Sequence, residues 1–328
     1  MKFKKTAGAV LLAGALALTG CAGGGDGGDS AASNEGCEQV ITVGFSHPSG
    51  DDAYVVALKG AVERYAAQEE CVELLLDNTQ LNNLEDQRAT IENWVTQKVD
   101  AIVMTPVDAA ALEDLREAAQ AQGTKWISYA EQLDGTDGSA GFDSDSSGRD
   151  AGAYAVEWLE RNELKPGEVT VGLTTSPLDA FDGRNIFAKE VLEEAGYEVV
   201  SYQECNNTEC GLQIAQDALR ENPDLRVFIG VSDDAGVGAI RAFEESNVDI
   251  EEVLIMGHNG SLEALEAIKS GGPFRATLAL PLDELAESIL VSAVNSVKGE
   301  GETHLATPAE VVSQDDQTEV DRLIAMFG

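Results

Sequence analysis

The chain has 328 residues, 43% of them hydrophobic and 24% charged, which is enough apolar content to bury more than one domain-sized core. Its 59 Asp and Glu against 21 Lys and Arg give a formal charge of −38 at pH 7, a balance that excludes nucleic acid as a partner. The acids are scattered along the chain and not gathered into a tail, so they read as a solvated acidic surface of the kind suited to high salt.

At the amino terminus Lys2, Lys4 and Lys5 precede an apolar run from Ala7 to Leu18 that is too short for a membrane span and reads as a secretory signal, residues 1–20. Leu18-Thr19-Gly20-Cys21 resembles a bacterial lipobox, which implies cleavage before Cys21, a lipid on its thiol, and an extracytoplasmic chain anchored to the cell membrane. Residues 21–37 are rich in Gly, Ser and Asp and read as a flexible tether. Four cysteines then remain outside the cytoplasm, and they can pair in three ways. Cys37 lies just before the first strand and Cys71 just before the second; neighbouring parallel strands set those starts side by side, so the expected pairs are Cys37–Cys71 and Cys205–Cys210. A thiol metal site competes with this pairing, but no CxxC and no nearby His supports it.

Beyond the tether, short apolar runs (QVITVGF, CVELLLD, DAIVMTP, KWISYA) alternate with amphipathic helical windows (YVVALKGAVERYAAQ, LEDQRATIENWVTQ, AAALEDLREAAQAQ). The alternation then begins again, with strands EVTVGLT, YEVVSYQ, LRVFIGV and EEVLIMGH between four further helical windows. Strand-helix alternation predicts βαβ units around parallel sheets, and two successive sets predict two α/β, Rossmann-like lobes. The polar segment DSDSSGRD, residues 143–150, reads as the first crossover between them. Trp94, Trp126 and Trp158 read as core.

Ligands of open α/β sheets bind outside the carboxyl ends of the strands. The loops there are SHPSGDDAY, TPVDAA, YAEQLDG, FDSDSSG, TTSPLDAFDGR, VSDDAG and GHNGS, and they carry most of the polar residues that invite a functional reading. Asp51 and Asp52 fit sugar hydroxyls, with Tyr54 as a ring for the apolar sugar face; one of the two aspartates equally fits an N-cap of the following helix. His47 and His258 lie on such loops, where with Asp51 or Asp143 they could form a metal or acid-base site, against a rim or packing role. Neither GxGxxG after the first strand nor GxxxxGK[ST] anywhere is present, so no nucleotide cofactor is expected; a GxSxG elbow is absent too, and no enzyme activity is expected.

The phrases KVDAIVMTPVDAAAL, NPDLRVFIGVSDDAGVGAIRAF and VLIMGHNGS, within a stretch from about Gln39 to VNSVKGEG, resemble the type I periplasmic sugar-binding proteins of ABC importers, typified by ribose- and galactose-binding proteins. The resemblance implies two lobes joined by a three-segment hinge that close over a small solute and dock on a permease. The expected lobes are 38–142 with about 281–305, and 143–280 with about 306–328. Carried over by position, the resemblance assigns ligand contacts to Asp51, Asp52, Tyr54, Thr105, Glu131, Asp143, Arg184, Ser232 and Asn259, with Leu280 where a glutamine is common. Here Glu131 with Ala130 replaces an Asp-Arg pair, Ser232 an asparagine and Asn259 an aspartate, and the Phe that should follow Arg184 is displaced by one residue. Convergence of Asp52, Glu131 and Asp143 against Arg184 alone predicts an acidic cleft favouring a neutral polyol or a cation. The expectation is a monomeric lipoprotein that binds a sugar or polyol for import, without cofactor. A sensory receptor of the same fold, and a binder of a cationic or nucleoside solute, are the alternatives.

Overall fold

The computed structural model describes residues 37, 39–48, 53–77, 83–130, 133–176, 181–205 and 207–327. Its first half reads β1 (Ile41–Ser46), α1 (Ala53–Ala66), β2 (Val72–Leu76), α2 (Leu84–Gln97), β3 (Ala101–Met104), α3 (Glu113–Ala121), β4 (Lys125–Tyr129) and β5 (Gly138–Phe142). The second half runs α4 (Ser144–Arg161), β6 (Thr170–Thr175), α5 (Asp182–Glu194), β7 (Glu198–Glu204), α6 (Thr208–Glu221), β8 (Leu225–Ile229), α7 (Asp233–Glu244), β9 (Leu254–Asn259), α8 (Leu262–Ser270) and β10 (Phe274–Ala279). The chain closes with α9 (Leu282–Lys298), β11 (His304–Thr307), β12 (Glu310–Ser313) and α10 (Gln317–Ile324).

The strands form two six-stranded sheets, in the orders β11-β5-β4-β3-β1-β2 and β12-β10-β9-β8-β6-β7. Every pairing is parallel except that of β12 with β10. The central strands are continuous apolar runs such as AIVM in β3, as strands buried on both faces require. Successive residues supply opposite faces: Val43 and Phe45 meet Leu58 and Val62 of α1 and Ile289 of α9, whereas Ile102 and Met104 meet Ile91 and Trp94 of α2. In the second sheet Val171, Leu173 and Val227 pack with Ala155 and Leu192 of α4 and α5, and Phe228 and Ile255 with Ala239 and Phe243 of α7. Trp94, Trp126 and Trp158 are all buried, as core residues should be.

The chain passes between the sheets after β5, after β10, and between β11 and β12. The first passage is shorter than the polar text of residues 143–150 suggests. Asp143 is an N-cap, its Oδ1 accepting from Ser146 N at 2.9 Å, and helix α4 runs from Ser144 onward. Gly148 and Gly152 of α4 then let α5 approach so closely that a Cβ on Gly148 would meet the backbone carbonyl oxygens of Gly183 and Arg184.

Both expected disulfides are formed, Cys37–Cys71 and Cys205–Cys210, with Cα atoms 5.5 and 5.7 Å apart. Ile41 N donates to Cys71 O at 2.9 Å, so the starts of β1 and β2 do lie side by side. Among the described residues no helix is long and apolar enough to cross a membrane.

Candidate ligand-binding site

Each sheet reverses its winding once. In the first sheet β2 and β3 flank β1, and in the second β7 and β8 flank β6, so the loops leaving the two sides diverge and open a crevice at the carboxyl ends. A buried amide fixes each crevice. Gln87 of α2 donates Nε2 to Ser46 Oγ and to Thr105 O, both at 2.9 Å, while its Oε1 accepts from Val107 N at 2.8 Å. Asn185 of α5 donates Nδ2 to Thr174 O and, at 3.3 Å, to Ile229 O. These amides tie the ends of β1 and β3, and of β6 and β8, at the two switch points. Beneath the first crevice lies an ion pair: Lys59 Nζ stands 3.1 Å from Asp77 Oδ1 and donates to Asp77 O at 2.8 Å, and Ser46 Oγ donates to the other carboxylate oxygen.

Arg184, at the start of α5, is 1% exposed. Its Nη1 donates to Val231 O at 3.0 Å, and its Cζ lies 4.7 Å from the ring centroids of both Phe142 and Phe181. Phe142 ends β5 of the first sheet, so a cation from the second-sheet side meets an aromatic ring of the first. Tyr129, at the end of β4, stands near Tyr54 and close enough to Arg184 for the two to perturb each other. Burial lowers the Arg184 pKa to about 10 against the raising influence of Tyr54, Asp233 and Tyr129. Among the described residues Arg184 makes no ion pair.

Of the residues expected at the site, the structure gathers Tyr54, Thr105 and Arg184 around Tyr129; Thr105 Oγ1 donates to Tyr129 O at 2.9 Å. Asp143 and Ser232 are the N-caps of α4 and α7. Asn259 ends β9 with φ of 115°, in a region L-residues rarely adopt, and Gly260 with φ of 75° follows it. Leu280 is buried. Asp51, Asp52 and Glu131 lie outside the described residues.

Tyr129 and Phe142 head the cleft-side loops YAEQLDG and FDSDSSG, but the sequence assigned neither of them a role. His258 looks like a loop residue, yet it lies within β9 with 0% exposure, its Nδ1 2.9 Å from Ser147 Oγ and its Nε2 without a hydrogen-bond partner. Asp233 is equally buried, accepting from Thr277 Oγ1 at 2.6 Å and from Ser261 N at 2.7 Å, and burial pushes its carboxyl up to about 7. His47 lies against Tyr129, with ring centroids 6.1 Å apart, whereas His258 sits with Ser147. No group of three or more His, Cys, Asp or Glu able to hold a metal occurs among the described residues. A groove of about 450 Å³ lined by Ile41, Tyr65, Val72 and Val294 lies at the opposite, amino-terminal end of the first sheet, away from this chemistry.

The two histidines make stability sensitive to acid. Burial, then Lys59, lowers the His47 pKa to about 4, and burial, then Arg184, holds His258 well below the usual imidazole range. An unfolded imidazole takes its proton near pH 6.5, so below that pH the unfolded chain binds protons the folded one refuses, and stability falls. Asp233 acts in the opposite sense, since the folded chain binds its proton first as pH drops through about 7. Urea unfolding of wild type and His258→Phe at pH 7.5 and 5.5 isolates one histidine. Wild type should lose about 1 kcal/mol relative to the variant on acidification; an unchanged difference would show that His258 titrates normally.

The fold agrees with the comparisons. A family model described as "Periplasmic binding protein domain" matches residues 43–301, and the chain belongs to that family. It is 24% identical over 251 residues to the ribose import binding protein RbsB of Bacillus subtilis, covering 72% of this chain and 75% of that one. It is 25% identical over 309 residues to the xylitol-binding protein of Mycolicibacterium smegmatis, covering 92% of this chain and 83% of that one. Among solved structures, a periplasmic ribose ABC transporter from Conexibacter woesei superimposes with a TM-score of 0.75 at 21% identity, over 88% of this chain and 95% of that one. The two sheets and three passages are the two-lobed type I periplasmic binding protein fold.

Proposed function

We propose that this chain is an extracytoplasmic solute-binding lipoprotein, anchored through Cys21, that binds a small sugar or polyol between its lobes and delivers it to the permease of an ABC importer. The observation that carries the reading is Arg184: a buried guanidinium from one lobe set against Phe142 and near Tyr54 and Tyr129 of the other. Guanidinium and tyrosine hydroxyls can grip adjacent sugar hydroxyls, and the rings can cover the apolar sugar face. Relatives named for ribose and xylitol support the solute class. In this reading Asp51, Asp52 and Glu131 supply carboxylates that outnumber Arg184, and the acidic cleft suits a neutral hydroxylated solute better than an anion. Contacts from both lobes exist together only when they are closed, so the solute stabilises the closed form by its differential affinity; no bond is made or broken.

A thermal-shift panel of pentoses, hexoses, polyols, nucleosides and polyamines tests the solute class. At a hundred-fold excess over Kd the matching solute adds about 2.7 kcal/mol, a rise of roughly 5 °C for a chain of this size. A response to a nucleoside or polyamine with none to any sugar or polyol would overturn the reading.

A further inference from the structure

We infer that His258 is a ligand-contacting residue of the cleft, its Nε2 reserved for a hydroxyl of the bound solute. The inference rests on the proposed solute class and deepens it. His258 stands in the second-last position of β9, next to Asn259 at the strand's carboxyl end, where the fold binds its ligand. Ser147 Oγ, in the first turns of α4, holds Nδ1 at 2.9 Å and fixes the ring in place. The other ring nitrogen is buried and unsatisfied, and so is Nε of Arg184, the charged neighbour that most affects His258 electrostatically. Two buried polar atoms left open on neighbouring residues of one cleft are costly unless a partner arrives with the ligand.

The chemistry of the missing partner follows from the tautomers. If Ser147 donates to Nδ1, then Nε2 carries the proton and needs an acceptor; if Ser147 accepts, Nε2 is itself the acceptor and needs a donor. A hydroxyl serves either case, because it both donates and accepts. It could also accept from Arg184 Nε–H. An ammonium or a carbonyl would suit only one tautomer, so the pair selects for a hydroxylated solute.

The test uses variants that split the ring's two nitrogens. The amide of Asn reaches only as far as Nδ1, whereas that of Gln reaches the Nε2 position. With D-ribose, D-allose, xylitol and myo-inositol as probes, the sugar or polyol that wild type binds should bind His258→Asn at least ten-fold more weakly, and His258→Gln within about three-fold of wild type. Wild-type affinity in His258→Asn would overturn the assignment while leaving the solute class intact, and would mean that an ordered water occupies Nε2. Failure of wild type to bind any probe would overturn the solute class and this assignment with it. A measurement needing no variant is the ring ¹⁵N spectrum of the full chain, simple because it has three histidines. Solute should move the Nε2 resonance of His258 and not that of exposed His304; an unmoved His258 signal at saturation would contradict the contact.

Discussion

Asp77→Ala should lower the unfolding free energy by about 3–5 kcal/mol, because it removes the one carboxylate that pairs with the buried Lys59 ammonium among the described residues. The two side chains are 10% and 0% exposed, so water cannot replace the lost partner as it would at a surface pair. The loss reaches further than one ion pair. Asp77 also accepts from Ser46, which accepts from Gln87, and Gln87 ties the ends of β1 and β3. The double variant Lys59→Met/Asp77→Ala removes the stranded charge and should recover a substantial part of the deficit in urea unfolding. Equal stability of the single and double variants would show that the ammonium had found other stabilisation.

Gly148→Ala is expected to act on the cleft through the backbone. The new Cβ would lie 2.5 Å from Arg184 O and closer still to Gly183 O, atoms that can yield only if the start of α5 moves. Overpacking of this kind costs about 1–3 kcal/mol. Arg184 would move with its helix, and displacement by an ångström is enough to spoil its fit against Phe142 and the Val231 carbonyl. We expect a lower melting temperature and at least a ten-fold loss of solute affinity. Gly152→Ala would be a control for packing alone: its Cβ meets Val191 and Ala188 deeper along the helix pair, so stability should fall with a smaller effect on affinity. Equal affinity losses in the two variants would argue against a local effect on Arg184.

Much of the architecture was legible because period and burial coincide. Apolar runs such as AIVM between amphipathic windows mark parallel strands covered on both faces, and the βαβ order alone placed Cys37 beside Cys71. The strands that escaped notice were those with little β-branched or continuous apolar text: GSAGF of β5, FRATLA of β10, and the short outer strands β11 and β12. Their place is set by tertiary pairing with neighbours already in the sheet. Of the residues expected at the site, Tyr54 and Arg184 do lie near one another, while Asp143 and Ser232 cap helices α4 and α7. A residue opening a helix at the cleft edge is the same residue type whether it binds solute or caps the helix. Buried polar groups were the least visible. Nothing local distinguishes Gln87, Lys59 or His258 from solvated residues, because their burial is decided by strands and helices distant in sequence.

The most direct measurement of the central claim is a calorimetric titration of the wild-type chain and of Arg184→Ala with the sugar or polyol that gives the largest melt shift. The claim that solute is held between the lobes against Arg184 predicts one molecule bound per wild-type chain and no saturable heat in the variant. Binding by Arg184→Ala with wild-type affinity would contradict it.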